Sequence, residues 1–121
     1  MEIINITSMK KRLKDFAEIR DWNQFHSPKN LSMALTVEAG ELLELFQWVS
    51  EQDSLDPKKL PIERVGEELA DILVYLIRIS DKLEVNLVDA VERKLKINAE
   101  KYPPEKCFGL SKKYNELEDS E

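Results

Sequence analysis

The feature that most constrains the fold is an apolar stripe in the middle of the chain. Between residues 62 and 83, aliphatic side chains recur every three or four positions: Val65, Leu69, Ile72, Leu76, Ile79 and Leu83. This spacing places them on one face of an α-helix. Leu73, Val74 and Ile77 widen that face, so the pattern predicts a helix that is buried on more than one side. A small monomeric bundle needs less apolar surface than this, which suggests a subunit interface.

Helical spacing also predicts three further helices. They span residues 8–24, 28–49 and 87–102. Each should begin at a polar residue that accepts a hydrogen bond from the first free backbone N–H groups. The expected caps are Thr7 or Ser8, then Ser27, then Asn86. Since no segment shows the alternation of a β-strand, the predicted fold class is all-α, as an oligomeric four-helix bundle.

The chain length and the linking segments bound the domain organisation. A chain of 121 residues is long enough for one domain with a core of its own. Residues 50–61 are polar and contain two prolines, which predicts a loop or a short turn of helix. We expect one helical domain that carries the functional residues, 1–104. We expect an extended C-terminal arm over residues 105–121, frayed at its acidic end.

The composition excludes several classes of protein. The net charge is −6 and no block of Lys and Arg is large enough to replace a basic face, so binding to a nucleic acid polymer is not expected. Cys107 is the one cysteine, which excludes an intramolecular disulfide and fits a reducing cytoplasm. No apolar run approaches the roughly 18 residues that span a bilayer, so no membrane partner is expected. The N-terminal segment also lacks the apolar core of a secretory signal.

Two pairs of carboxylates border the apolar stripes. Glu38 and Glu41 are three residues apart in the second predicted helix, and Glu68 and Asp71 are three residues apart in the third. Residues at this spacing lie on neighbouring parts of one helix face. If the two stripes face each other in one core, the four carboxylates should converge.

Converging carboxylates need a partner. Desolvation and mutual repulsion destabilise partly buried anions, so they must be protonated, paired with cations or bound to a metal. Oxygen ligands suit a hard divalent cation, Mg²⁺ or Mn²⁺, which accepts phosphate oxygens as further ligands. A single acidic pair at this spacing is usually solvated surface, and that interpretation stays open for each pair taken alone.

Four segments together resemble a known enzyme family: "RDWNQFHSPKNL", "EAGELLELFQW", "EELADILVYL" and "KLKINAEKYP". They are similar to the all-α nucleoside triphosphate pyrophosphohydrolases of the MazG-like superfamily, and most similar to the branch that contains the dCTP pyrophosphatases. The resemblance covers about residues 12–103. It implies hydrolysis of a nucleoside triphosphate between the α- and β-phosphates, which gives a monophosphate and pyrophosphate and removes surplus or noncanonical nucleotides. It also implies a homo-oligomer, a dimer or a tetramer, with active sites near the subunit contacts.

The resemblance also implies which residues bind metal. Mg²⁺ would be held by the four acidic positions Glu38, Glu41, Glu68 and Asp71. The attacking water needs a base within hydrogen-bond reach. Glu41, with Glu38 beside it, is the catalytic candidate, and Glu44 or Glu67 remains an alternative base.

The fourth predicted helix carries candidates for phosphate and sugar binding. Lys94, Asn98 and Lys101 share one face of this helix, and Tyr102 follows them. Two ammonium groups and an amide suit a triphosphate. The family places phosphate and sugar contacts at the positions that match Lys94, Asn98 and Tyr102. Without the resemblance, a solvated face with routine lysines is the favoured interpretation.

Aromatic residues and the single histidine are candidates for a base pocket. The candidates are Trp22, Phe25, His26, Trp48 and Tyr75. Aromatic faces stack on any nucleobase, and a nearby polar group then selects among bases. In the dCTP-directed branch, all of these positions except that of Phe25 line the nucleoside pocket, together with the position of Asn98. Read without the family, the aromatic residues are ordinary core or interface residues and His26 is a capping or surface residue.

Two other functions compete with hydrolysis of dCTP. The same chemistry on dUTP, a modified dCTP or phosphoribosyl-ATP would use the same acidic core. A helical interaction module that is not an enzyme would carry the carboxylates as surface charge. A di-iron bundle is disfavoured, because the chain lacks the repeated Glu-x-x-His motifs of such bundles.

Overall fold

The computed structural model describes residues 3–117, and this part of the chain contains helices and no strands. The helices are α1 (Ile6–Glu18), α2 (Pro28–Glu44), α3 (Glu51–Ser54), α4 (Ile62–Lys82), α5 (Leu87–Lys101) and α6 (Pro104–Cys107). Short 3₁₀ turns span Pro57–Lys59 and Tyr114–Glu116. The all-α prediction is confirmed.

The chain divides into two compact units, Met1–Val85 and Asn86–Glu121. In the first unit, α1 and α2 each pack against α4. The second unit contains α5, the fourth of the long helices. A bundle of four helices is therefore not confirmed, although three long helices pack together in the first unit. The division into residues 1–104 and 105–121 stays a prediction.

Side-chain caps explain where the long helices begin. Ser27 accepts a hydrogen bond from the backbone N–H of Asn30 at 3.1 Å, and Asn86 accepts one from that of Asp89 at 3.0 Å. These two caps are as predicted. The first cap is Asn5 rather than Thr7 or Ser8, since the Asn5 side chain accepts from the backbone N–H of Ser8 at 3.0 Å. The helix thus begins at the first residue whose side chain makes this bond.

The first helix ends earlier than the predicted residue 24. Its chain reverses at Asp21, which has a left-handed φ of 55°. The backbone N–H of Trp22 then donates to the carbonyl of Ala17 at 2.9 Å, and that of Asp21 to the carbonyl of Glu18 at 3.1 Å. This Schellman-type closure satisfies the last carbonyls of the helix. It places Trp22 in the turn that leads to α2 instead of on α1.

The second helix also ends before the predicted residue 49. From Leu45 onward the backbone closes tighter turns, in which Leu45 donates to the carbonyl of Leu42 and Phe46 to that of Leu43. Trp48 therefore lies outside α2, in these turns. The predicted helix over residues 62–83 and the one that starts after Asn86 agree with α4 and α5 to within a residue.

Two segments that were predicted to lack long helices differ in outcome. Residues 50–61 contain α3 and a 3₁₀ turn, as expected for a short turn of helix. The C-terminal arm was predicted to be extended, and this is wrong for its beginning, which forms α6, and for its second 3₁₀ turn. Proline at the first position starts α6, because its missing N–H is not needed there. The fraying predicted for the acidic end falls on residues 118–121, outside the described residues.

The core of the first unit is small. Its fully buried apolar residues are Ala17, Leu31 and Ile77, one from each of α1, α2 and α4. Within the predicted stripe of α4, Leu69 keeps 53% of its surface exposed and Leu76 keeps 41%. A single chain therefore leaves much of that stripe open to solvent. Between residues 3 and 117, no helix has the length and apolarity that a membrane span requires.

Candidate functional site

Packing of α2 against α4 brings carboxylates from the two helices together. Glu38 and Glu41 on α2 and Glu68 on α4 each offer an oxygen, and these oxygens lie within 4.8 Å of one another. Because Glu38 and Glu41 are three residues apart on one helix, both face α4. The two predicted pairs thus meet through three of their four members.

The oxygens of this acidic cluster (Glu38, Glu41 and Glu68) lack donors. Oε2 of Glu38 and Oε2 of Glu68 are both buried, and neither has a hydrogen-bond partner. Ionised carboxylates only accept hydrogen bonds, so Glu38 and Glu68 can bond to each other only when one of them carries a proton. That bond, then burial and then the neighbouring Glu41, raise the pKa of Glu38 from 4.5 to about 7.

The cluster fits a hard divalent cation. Two buried oxygens without partners, in a group of three carboxylates whose oxygens lie within 4.8 Å of one another, need either a shared proton or a cation. Oxygen-only ligands favour Mg²⁺ or Mn²⁺ over metals that prefer nitrogen or sulfur. These three side chains could therefore hold such an ion, with water or phosphate oxygens completing its shell.

The fourth predicted carboxylate, Asp71, lies beside the cluster rather than within it. Its negative charge raises the pKa of Glu38, together with the larger effects named above. Its charge and that of Glu38 also raise the pKa of Tyr75, for which burial is the first cause. Asp71 and Tyr75 both line a neighbouring cavity, so two residues of this cavity lie near the cluster.

This cavity has a volume of about 360 Å³, within the range of small-molecule sites. Its lining is Leu13, Phe16, Ala17, Trp22, His26, Asp71, Val74, Tyr75 and Arg78. Three of the predicted base-pocket residues, Trp22, His26 and Tyr75, are therefore brought together. Phe16 and Trp22 meet edge to face, with ring centroids 5.7 Å apart. An aromatic cavity of this size suits a planar heterocycle.

Two predicted base-pocket residues do not join this cavity in the single chain. Phe25 is 59% exposed and Trp48 is 89% exposed. Trp48 lies outside because α2 ends at Glu44, which places the tryptophan in the following turns. The alternative bases Glu44 and Glu67 are also exposed, and neither belongs to the acidic cluster.

The cavity is also lined by a buried cation, Arg78, which was not among the predicted site residues. Arg78 is 3% exposed. One of its terminal nitrogens donates to Oδ1 of Asn23 at 2.9 Å and lies 3.4 Å from Nδ1 of His26. The other terminal nitrogen lies 3.6 Å from Oδ2 of Asp81. Burial, then the charges of Arg78 and Lys82, lower the pKa of His26.

Comparison with known proteins identifies the family. Residues 33–117 match the model of the MazG-like family. The chain belongs to the MazG-like family. The proposed resemblance to this family is thereby confirmed.

Curated relatives of this MazG-like chain include dCTP pyrophosphatase 1 from Homo sapiens, 44% identical over 105 residues, and the same protein from Mus musculus, 43% identical over 105 residues. Each alignment covers 85% of this chain and 62% of the relative. The chain thus spans less than two thirds of the length of these relatives. Among solved structures, a pyrophosphatase from Archaeoglobus fulgidus is similar, with a TM-score of 0.77 and 36% identity over 85% of this chain and 96% of that one.

The predicted phosphate and sugar residues of this MazG-like chain lie on and after α5, in the second unit. Within that unit, Lys101 lies over the ring of Tyr114, with Nζ 4.6 Å from the centroid. The hydroxyl of Tyr102 accepts a hydrogen bond from the backbone N–H of Tyr114 at 3.2 Å. Lys94 is exposed and Asn98 is half-buried. The roles of these residues stay predictions.

Phe16 and Arg78 are two cavity residues that were not among the predicted site residues. Phe16 lies at an apolar position of the first helix, and nothing in its spacing separates it from a core residue. Arg78 did carry a signal, because it is a lone cation within the apolar run "LVYLIRIS" of residues 73–80. A charge that interrupts such a run is rarely buried unless it has partners.

Proposed function

We propose that this MazG-like chain is a nucleoside triphosphate pyrophosphohydrolase that acts on dCTP or a modified dCTP. The observation that carries the proposal is the acidic cluster, in which two buried carboxylate oxygens have no partner, beside a cavity lined by aromatic rings. A triphosphate needs cations at its phosphates and a surface for its base, and the two features supply both. The similarity to dCTP pyrophosphatase 1 supports dCTP over other nucleotides.

In this proposal Glu38, Glu41, Glu68 and Asp71 hold Mg²⁺, for which Mn²⁺ can substitute. When bound, the ion neutralises charge on the phosphate oxygens and lowers the pKa of a bound water. The carboxylate of Glu41, with Glu38 beside it, accepts the proton of the water that attacks the α-phosphorus. The bond to the bridging oxygen breaks, and pyrophosphate leaves with its electron pair.

The remaining predicted residues bind the substrate. Trp22 and Tyr75 stack on the base in the aromatic cavity, and Lys94 and Lys101 bind phosphate oxygens. Asn98 and Tyr102 donate hydrogen bonds to the phosphates and the sugar. The Tyr102 hydroxyl can donate its hydrogen to the substrate while its oxygen accepts from the backbone N–H of Tyr114.

The proposal includes assembly into a homo-oligomer. Leu69 and Leu76 on α4 and Trp48 after α2 are exposed in the single chain. Burying such a stripe against a second copy is favourable by about 25 cal/mol for each Å² of apolar surface. Trp48 would then reach a base pocket only as part of the assembled protein.

A panel of nucleoside triphosphates assayed for pyrophosphate release, with and without Mg²⁺, tests the function. We expect Mg²⁺-dependent release with dCTP or 5-substituted dCTP as the best substrate. A preference for dUTP or for a purine nucleotide would keep the chemistry and change the substrate. No pyrophosphate release from any nucleotide would contradict the enzyme and favour the helical interaction module, whose exposed apolar stripe would then serve a partner.

A further inference from the structure

Arg78 is a buried charged side chain, and its contacts show which segments of the chain it connects. An isolated cation removed from water destabilises a protein by several kcal/mol unless polar groups surround it. Arg78 contacts Asn23 and His26, which belong to the turn between α1 and α2, and Asp81 on its own helix. Its side chain therefore ties this turn to α4, at the wall of the aromatic cavity.

The guanidinium group of Arg78 determines which ring nitrogen of His26 carries the hydrogen. A guanidinium group only donates hydrogen bonds, so Nδ1 of His26 must be the acceptor in the 3.4 Å contact with Arg78. Burial and the charges of Arg78 and Lys82 lower the pKa of His26 and keep the ring neutral. A neutral imidazole that accepts at Nδ1 carries its hydrogen on Nε2. Among residues 3–117, Nε2 has no hydrogen-bond partner of its own.

We infer that Arg78 is a positioning residue that fixes His26 as the tautomer with hydrogen on Nε2, so that the cavity offers an N–H donor to an acceptor atom on the base. This inference rests on the proposed function, because it names how the same cavity selects its base. Cytosine presents two adjacent acceptors, O2 and N3, which match a single N–H donor on the wall of an aromatic cavity. The same contact orients Asn23, whose Oδ1 accepts from Arg78 and whose amide N–H groups stay available as further donors.

The tautomer can be measured directly in the free protein, because His26 is the one histidine of the chain. A two-bond ¹H–¹⁵N correlation spectrum of protein labelled with ¹⁵N-histidine contains the signals of this ring alone, apart from any purification tag, which is removed. We expect a protonated Nε2 and an unprotonated Nδ1 at pH 7.5. The opposite tautomer, or a ring that averages between the two, would overturn the inference. This spectrum needs no variant and no substrate.

Steady-state kinetics of the Arg78→Met variant test whether Arg78 affects recognition of the base. Methionine keeps an unbranched side chain and removes every donor, so one hydrogen bond to the base loses its fixed geometry. We expect the KM for dCTP to rise by about 5- to 10-fold, the range for one hydrogen bond, with kcat changed by less than about twofold. The KM for deoxyribose 5-triphosphate, which has no base, should not change. An equal rise for both compounds would show a structural role and overturn the inference.

Arg12→Met is the matched control, because Arg12 is an exposed arginine on α1. It should leave the tautomer and both KM values as in the wild type. If Arg78→Met does not fold, the wild-type spectrum still decides between the two tautomers. A wild-type protein that releases no pyrophosphate from any nucleotide would contradict the proposed function, whereas the spectra of wild type and Arg78→Met together test the action of Arg78 on His26 independently: the variant should lose the fixed tautomer, and an unchanged tautomer in the folded variant would overturn the inference.

Discussion

Glu38 on α2 and Glu68 on α4 face each other with their Oε2 atoms buried and without a hydrogen-bond partner. Two carboxylates from different helices meet in this way only if a proton or a cation lies between them. The helix pair is therefore built to be completed by a positive charge. The first two predictions follow from this pair.

A divalent cation should stabilise the folded chain. At a Mg²⁺ concentration ten times its Kd, binding to the native state contributes about 1.4 kcal/mol, which raises the Tm by roughly 5 °C for a domain of this size. Thermal melting without Mg²⁺ and with about 10 mM MgCl₂, enough for a weak carboxylate site, measures this shift in Tm. Glu68→Gln should remove the shift, while Glu63→Gln, an exposed residue of the same helix, should keep it. A shift that survives Glu68→Gln would place the ion elsewhere.

The stability of the metal-free protein should depend on pH through Glu38. The pKa of this carboxyl is raised from 4.5 to about 7, first by the bond to Glu68 and then by burial. The folded state therefore binds the proton more tightly, so this stabilisation is complete below pH 4.5 and is lost as the pH rises through 7. His26 acts in the opposite direction, because its pKa is lowered. Its contribution is present above its ordinary pKa of 6.5 and is lost at lower pH.

The contribution of Glu38 is isolated by Glu38→Gln. Denaturant titrations in EDTA between pH 5 and 8 measure the difference in unfolding free energy between wild type and variant. We expect the unfolding free energy of the wild type to fall relative to that of the variant as the pH rises. Control titrations with Glu63→Gln should show a constant difference. A flat difference for Glu38→Gln would mean that the two carboxyls do not share a proton.

Loss of a single carboxylate should stop turnover without unfolding the chain. Glu41→Ala and Asp71→Ala each remove one negative charge from a crowded acidic region, which relieves repulsion. We expect at least a hundredfold lower kcat, as is typical for loss of a metal ligand or a general base, and an unchanged helical circular dichroism spectrum. Wild-type-like turnover in both variants would contradict the assignment of the site.

The two tryptophans should differ in how their contribution depends on assembly. Trp22 lines the cavity of the single chain, so Trp22→Ala should raise the KM for dCTP by about tenfold, the effect of losing one stacked ring. Trp48 is exposed in the single chain. Trp48→Ala should therefore weaken dCTP binding and reduce the discrimination between bases only in a protein that oligomerises. An equal loss in an obligate monomer would show that Trp48 reaches the cavity of its own chain.

The open stripe of α4 should be an interface. Leu76→Glu places a charge on this stripe, and burying an unpaired charge opposes association by several kcal/mol. Sedimentation equilibrium should show an oligomer for the wild type and a smaller species for the variant. Leu55→Glu is the control, since Leu55 is 82% exposed and lies outside the stripe. A wild type that sediments as a monomer would leave the stripe free for another partner.

The sequence by itself determined the parts of this protein that depend on local spacing. Sequence alone predicted the apolar period of α4, the caps at Ser27 and Asn86, and the three-residue spacing of the carboxylates. Each of these features involves atoms within one or two helical turns. The MazG-like family followed from the same segments. Local spacing places Glu38 and Glu41 on one face, but it does not say what that face meets.

Only the tertiary structure decided what lies together. The left-handed residue Asp21 ends α1 early and turns Trp22 and His26 toward α4, and the early end of α2 leaves Trp48 outside. The packing of α2 on α4 joins Glu38 to Glu68 and leaves Asp71 at the cavity wall. Arg78 gains its role from partners 52 and 55 residues away in sequence. Such contacts are set by the angles at which helices pack and chains reverse, and these angles depend on the whole core rather than on the spacing within any one helix.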